Sequence, residues 1–104
     1  PDPKQVDGAK ATGTDRIELY TEAYASGFPK NPETAIAPYV EAAKRAAELE
    51  IGLNAGHDLS LENIAYFHQY IPNLLEVSIG HALICESLYF GLENVINQYR
   101  AKLI

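Results

Sequence analysis

Three short apolar segments, separated by helical patterns, constrain the fold of this chain more than any other feature. They are RIELYT at Arg16–Thr21, IGLN at 51–54 and LLEVSI at Leu74–Ile79. Their aliphatic and aromatic bias is typical of β-strands. Strands that alternate with helices form βαβ units, whose strands pair in a parallel sheet. The sequence therefore predicts an α/β protein with parallel strands.

Two of the helical patterns begin with the same signal, a capping side chain followed by proline. Asp2-Pro3 predicts a short helix that runs to about Ala11, with Gly13 as its stop signal. Asn31-Pro32 predicts an amphipathic helix over about 32–49, because apolar residues follow at helical spacing. Both helices flank the first strand.

The other segments complete the expected order of elements. The Gly-, Pro- and Ser-rich segment 22–32 is predicted to be a loop. Ser60 is predicted to cap a helix that ends near Ile71. Residues 80–103 read as a short helix and a longer one, separated at Gly91. The predicted order is α β α β α β α α.

Three strands are few for a stable parallel sheet, because such a sheet needs cover on both faces. The chain also opens with a helix that no strand precedes. Both facts suggest a piece of a larger (β/α) fold, and an eight-unit barrel of this type has about 250 residues. We expect residues 1–104 to form a single partial domain.

Charge and composition exclude several partners. The net charge of −6 argues against a nucleic acid or an anionic membrane surface. No apolar stretch approaches the roughly 20 residues that span a bilayer. The one cysteine, Cys85, has no partner for an internal disulfide, which fits a reducing, cytoplasmic setting. An anionic ligand would therefore have to be held by local features.

The candidate functional residues lie at the carboxyl ends of the strands, where α/β folds bind ligands. Glu18 lies in the first strand, His57 and Asp58 follow the second, and Gly80 and His81 follow the third. A glycine that opens a helix lets a phosphate approach unpaired backbone N–H groups. The sequence therefore predicts a polar rim with a phosphate site at Gly80–His81.

Structural roles for the same residues stay open at this point. A histidine at a strand end, such as His57, can simply cap the next helix. Glu18 can pair with Arg16 or another cation. His68 is assigned no role, and Cys85 is expected to be a small core residue. No His-x-His or Cys-x-x-Cys spacing is present, so no metal site is expected.

Three segments together resemble the C-terminal part of the pyridoxine 5′-phosphate synthase family. They are IELYTEAYA, LNAGHDLSLEN and EVSIGHALICESLYFGLENVI. The pair Asn-Ala-Gly-His and Ile-Gly-His-Ala, about twenty residues apart, is specific only in combination. The family is a (β/α)8 TIM barrel with additional helices. The resemblance implies that this chain holds barrel strands six to eight with helices five to eight, and that the N-terminal half lies outside it.

The resemblance also implies a reaction and residue roles. The family condenses 1-deoxy-D-xylulose 5-phosphate with 3-amino-2-oxopropyl phosphate to give pyridoxine 5′-phosphate, phosphate and water, without a cofactor or metal. Glu18 matches the glutamate that stabilises a transition state, and His57 matches the proton donor. Gly80 and His81 match the pair that binds the aminooxopropyl phosphate substrate. Asp58 stands where many members have a glycine that contacts the same substrate.

Further expectations concern assembly and activity. The resemblance implies phosphorylated small-molecule substrates and a cytoplasmic homo-oligomer of full-length barrels. The segment alone is expected to be inactive, because the other catalytic residues belong to the N-terminal half. Two alternatives remain: another phosphate-binding (β/α)8 enzyme, or a non-catalytic half-barrel that binds a partner through its open sheet edges.

Overall fold

The computed structural model describes all residues from 1 to 104 and confirms the α/β class. None of its helices combines the length and the apolar character that crossing a bilayer requires. The elements are α1 (Pro3–Ala11), β1 (Arg16–Tyr20), α2 (Glu22–Gly27), α3 (Pro32–Glu48), β2 (Gly52–Gly56), α4 (Ile64–Tyr70), β3 (Leu74–Ser78), α5 (His81–Phe90) and α6 (Leu92–Lys102).

The three strands form one parallel sheet in the order β1-β2-β3. Tyr20 lies opposite Gly56, and Gly56 lies opposite Ser78, so the three strands end level with one another. A register irregularity between Leu53 and Asn54 adjusts β2 against β3. Because the strands end together, the segments that follow them meet at one edge of the sheet.

The two faces of the sheet differ in character. Leu19, Leu53 and Ala55 belong to the buried core, which they share with Tyr39 of α3 and Phe67 of α4. The opposite face carries mostly polar side chains, among them Arg16, Glu18 and Glu76, which are exposed. Such a one-sided parallel sheet is consistent with the C-terminal part of a TIM barrel, where further strands would complete the second side.

An ion pair and an amide contact occupy the middle of the polar face. Arg16 Nη1 lies 3.1 Å from Glu76 Oε1 and 3.5 Å from Asn54 Oδ1. Glu18 takes part in none of the chain's ion pairs. The structural role in which Glu18 pairs with Arg16 is therefore wrong.

The predicted helix boundaries with local signals are confirmed. The Asp2 side chain accepts a hydrogen bond from the Lys4 N–H, and the Asn31 side chain accepts one from the Thr34 N–H. Gly91 ends α5 and begins α6 at a positive φ of 85°. Asparagine and aspartate at the N-cap satisfy N–H groups that have no partner inside the helix.

The predicted loop over 22–32 is wrong in its first half, where the structure has α2. The Tyr24 side chain is fully buried and packs edge-on against Phe28, Tyr39 and Phe67. Burial of a large aromatic side chain stabilises the fold by about 1.5–3 kcal/mol. This exceeds the free-energy cost of placing serine or glycine in a helix. The helix therefore forms for a tertiary reason.

The start of α4 was also predicted wrongly. Ser60 is not its cap, because the helix begins only at Ile64, after a turn. Within that turn the Ser60 N–H donates to Asn63 Oδ1 at 2.9 Å. The Asn63 side chain therefore binds the Ser60 backbone, whereas the prediction had the Ser60 side chain cap the helix. Strand β2 begins one residue later than predicted and extends to Gly56.

The last two helices differ from expectation in length and burial. They have ten and eleven residues, so neither is clearly the shorter. Cys85 is only partly buried, in a helix that has no buried residue, and the prediction of a core cysteine is wrong. Several large apolar side chains of this helix pair remain exposed: Ile84, Leu88, Tyr89, Phe90, Leu92 and Ile96.

Candidate functional site

A cavity of about 420 Å³ lies at the carboxyl ends of the three strands. The structure brings all five sequence-predicted site residues together around it, from three separate segments of the chain. Ser78 and Ile79 at the end of β3 complete the wall, with Gly56 from β2. The lining residues are Glu18, Gly56, His57, Asp58, Ser78, Ile79, Gly80 and His81.

The Glu18 carboxylate lies against the backbone of Gly56. A Cβ atom at position 56 would be only 2.6 Å from Glu18 Oε1, so the absence of a side chain there leaves room for the carboxylate. Glu18 is exposed and has no cationic partner. A carboxylate in this state is available to a positively charged group in the cavity.

His57 follows β2 with its ring exposed at the cavity wall. The ring centroid lies 4.5 Å from that of Tyr20 in an edge-to-face contact, and the His57 side chain forms no hydrogen bond within the chain. The reading of His57 as a helix cap is wrong, because α4 begins at Ile64 with Asn63 as its N-cap. Both ring nitrogens are therefore free for a ligand.

The backbone at His57 and Asp58 adopts the left-handed region, with φ values of 89° and 60°. Side chains with a Cβ rarely adopt this region, although aspartate and histidine tolerate it better than most. Residues in such conformations concentrate at functional sites. The conformation at position 58 also favours glycine, the residue that the family resemblance expects there.

Helix α5 presents its N-terminus to the same cavity. Gly80 is the N-cap and provides no side-chain hydrogen bond, while His81 is the first helical residue. The first N–H groups of a helix have no partner inside it and carry positive dipole potential. Apart from Gly80 and its two chain neighbours, no residue has an atom within 4 Å of where a Gly80 Cβ would be, so the approach is open. His81 Nε2 also lies 3.5 Å from Cys85 Sγ in the next turn.

Sequence reasoning missed two residues that shape this site, Thr21 and Asn63. Both are buried, and both form hydrogen bonds to the backbone that follows β2. The sequence places Thr21 at the carboxyl end of the first strand but does not show which group its hydroxyl meets. The spacing of Ser60 and Asn63 carried a weak signal, since an amide three residues after a serine can close a turn on its backbone.

Alanine usually stabilises a protein more than glycine at the same position, but the left-handed backbone at position 58 predicts the opposite. Asp58→Ala should lower the free energy of unfolding by about 1 kcal/mol relative to Asp58→Gly, because only glycine adopts this region without a Cβ penalty. Urea denaturation of both variants measures the difference. Asp15 is the matched control: it is exposed and has a negative φ. There Asp15→Ala should be at least as stable as Asp15→Gly.

Comparison with known proteins shows a match along the whole chain. Residues 1–104 match the model of the family described as "Pyridoxal phosphate biosynthesis protein PdxJ". Proteins named pyridoxine 5′-phosphate synthase are 62% identical over 99 residues in Bacteroides thetaiotaomicron, 62% over 100 in Flavobacterium johnsoniae and 57% over 98 in Cytophaga hutchinsonii.

These alignments cover 95%, 96% and 94% of this chain, respectively. They cover only 42%, 42% and 41% of the relatives, at the C-terminal side of those proteins. The chain therefore spans about two fifths of the length of the curated relatives it matches.

Proposed function

The chain belongs to the PdxJ family of pyridoxal phosphate biosynthesis proteins, and on that premise we propose that it supplies the C-terminal part of a pyridoxine 5′-phosphate synthase. The proposed reaction condenses 1-deoxy-D-xylulose 5-phosphate with 3-amino-2-oxopropyl phosphate to give pyridoxine 5′-phosphate, phosphate and water. The names of the relatives support this activity. The observation that carries it is the single cavity shared by Glu18, His57, Asp58, Gly80 and His81.

His57 and Glu18 are proposed to act on the reacting atoms. Imine formation, dehydration and ring closure require repeated proton transfers, and imidazole gives and takes protons near neutral pH. His57 is suited to proton donation because its ring is exposed and forms no hydrogen bond with the protein. The Glu18 carboxylate would stabilise the positive charge that develops on an iminium nitrogen.

Gly80 and His81 are proposed to hold the phosphate of the aminooxopropyl substrate. The open N-terminus of α5 offers backbone N–H donors and a favourable dipole, which a chain of net charge −6 needs in order to bind an anion. Asp58 lines the same cavity and would contact the substrate through its backbone, with its carboxylate turned away. Anchoring the phosphate positions the reacting end of the substrate.

The proposed enzyme needs more chain than residues 1–104. The polar face of the sheet is uncovered, and large apolar side chains of α5 and α6, such as Leu88 and Tyr89, are exposed. Contiguous apolar patches on a protein surface mark contacts with other protein. We propose that these residues form a partial domain, completed by the rest of a barrel in a cytoplasmic homo-oligomer.

A chimera tests the proposed activity. Residues 1–104 replace the matching segment of the Bacteroides thetaiotaomicron synthase, and the purified chimera is incubated with both substrates. We expect pyridoxine 5′-phosphate, detected by mass spectrometry, at a rate within about tenfold of the parent synthase. The 104-residue chain alone should give none.

One result would contradict the proposed activity, and another would contradict the claim of a partial domain. A chimera that has the circular dichroism spectrum and size of the parent, yet makes no product, would favour another phosphate-binding enzyme or a non-catalytic half-barrel. Turnover by the 104-residue chain alone would contradict the claim that it is a partial domain. The unaltered parent synthase controls for the assay.

A further inference from the structure

Two buried polar side chains serve one short loop of the cavity wall. Apart from three tyrosines, Thr21 and Asn63 are the two buried residues with polar side chains, at 0% and 5% exposure. Burying a polar group costs free energy unless it is hydrogen-bonded. Both side chains bond to the segment 56–60, here called the His57 loop. Both of the buried polar residues that are not tyrosines thus bond to this loop, whereas the buried hydroxyls of Tyr39 and Tyr99 bond elsewhere.

Thr21 holds the first two carbonyl groups of the His57 loop. Its N–H donates to the Gly56 carbonyl oxygen at 2.9 Å. Its Oγ1 lies 2.6 Å from that oxygen and 2.5 Å from the carbonyl oxygen of His57. The single hydroxyl proton is donated to one of the two oxygens at a time. Thr21 therefore ties the end of β1 to the turn at His57.

Asn63 holds the second half of the loop. Its Nδ2 donates to the Asp58 carbonyl oxygen at 3.2 Å, and its Oδ1 accepts from the Ser60 N–H at 2.9 Å. The Asn63 carbonyl oxygen in turn accepts from the Tyr24 hydroxyl at 2.5 Å. Burial, with a smaller contribution from Tyr66, raises the pKa of Tyr24 well above its ordinary value. This phenol therefore remains a donor at neutral pH.

The loop needs such support because its backbone is strained. His57 and Asp58 both have positive φ, a conformation that residues with a Cβ adopt only when the surrounding structure holds them in it. The Leu59 side chain is buried in the core, with 1% exposure. Apolar packing has no directional bonds, so it does not by itself fix the orientation of the backbone at His57 and Asp58. Three successive carbonyl groups, those of residues 56 to 58, lie within hydrogen-bond distance of Thr21 or Asn63.

We propose that Thr21 and Asn63 are positioning residues that hold His57 against Tyr20 at the cavity wall. Neither residue lines the cavity, so neither touches a substrate there. They act through the backbone of the His57 loop. Their effect on turnover rests on the proposed function, whereas their effect on the placement of the His57 ring does not.

The kinetic test compares Thr21→Val, which keeps the shape and removes the hydroxyl, with Thr21→Ser, which keeps the hydroxyl. In the chimera, Thr21→Val should lower kcat by about 10- to 100-fold, because a small misplacement of a reacting group has effects of this size. KM should change less than kcat, because only the proposed Asp58 backbone contact lies in the His57 loop, while the proposed phosphate site at Gly80–His81 lies outside it. Thr21→Ser should restore most of the rate, and the exposed control Thr34→Val should be neutral.

A second test needs no turnover. The Tyr20 ring, 4.5 Å away, should displace the NMR signals of the His57 ring protons from their random-coil positions. The His57 signals of the chimera are assigned by comparison with His57→Gln. In the Thr21→Val chimera the chemical shifts of the His57 ring protons should move toward random-coil values. In the Thr21→Ser chimera they should equal those of the unsubstituted chimera. The NMR experiment tests the placement of the His57 ring even if the chimera makes no product.

The outcomes separate positioning from a purely structural role. A Thr21→Val chimera that is folded at the assay temperature, with unchanged His57 signals, would overturn the proposal. Where Thr21→Val melts below that temperature, Asn63→Asp replaces it, because it loses the donor to Asp58 and keeps an acceptor for Ser60. Failure of both variants to fold would also overturn it, because the residues would then be needed for the fold itself.

Discussion

The chimera carrying His57→Gln is expected to lose between about 10²- and 10⁴-fold in kcat, the usual contribution of a positioned general acid or base. Glutamine retains hydrogen-bonding groups of similar reach but does not donate a proton to a developing leaving group. The loss should appear in kcat more than in KM, because His57 is proposed to act on the reacting atoms and not on the phosphate. Steady-state kinetics with both substrates measure it.

His68→Gln is the matched control for this variant. His68 lies in α4, is only partly buried and does not line the cavity, so its replacement should leave kcat within about twofold. Equal effects of the two substitutions would show that His57 has no special role.

The second large effect is expected for Glu18→Gln. Removing a charge that faces a developing cation should lower kcat by about 10²- to 10³-fold, as for other groups that stabilise a transition state electrostatically. The change is nearly isosteric, so the Gly56 backbone still accommodates the side chain. Because Glu18 forms no ion pair in the folded chain, the free energy of unfolding should change by less than about 0.5 kcal/mol.

Glu76→Gln distinguishes this role from the effect of any carboxylate on the same face. Glu76 pairs with Arg16, and both side chains are about half exposed or more, so the pair contributes no more than about 1 kcal/mol. Its replacement should leave kcat within a few-fold. An unchanged kcat in Glu18→Gln, measured beside an active parent chimera, would remove Glu18 from the mechanism.

Local patterns were enough to predict much of the fold. Capping side chains followed by proline, at Asp2 and Asn31, act within a few residues, and the structure shows the expected hydrogen bonds. The apolar bias of the three strands, and the helices between them, were enough to predict a parallel sheet. The first half of the loop expected over 22–32 was wrong because Tyr24 is buried by aromatic residues from α3 and α4, which no local pattern contains.

The placement of the site residues was predictable for a similar reason. Parallel strands end at one edge, so residues that follow them must meet there, and Glu18, His57 and Gly80 do line one cavity. Their chemical roles come from the family resemblance and stay predictions. Whether His57 caps a helix could not be decided without knowing where α4 begins.

The sequence by itself determined the α/β class, the parallel order of the elements and the group of residues at the strand ends. These follow from periodicity, caps and chain connectivity, which are local properties. Only the tertiary structure decided how His57 is held. Thr21 lies 35 positions from Gly56 along the chain, and Tyr24 lies 39 from Asn63. A buried hydroxyl or amide is stable only with a partner, and here the fold alone brings that partner within reach.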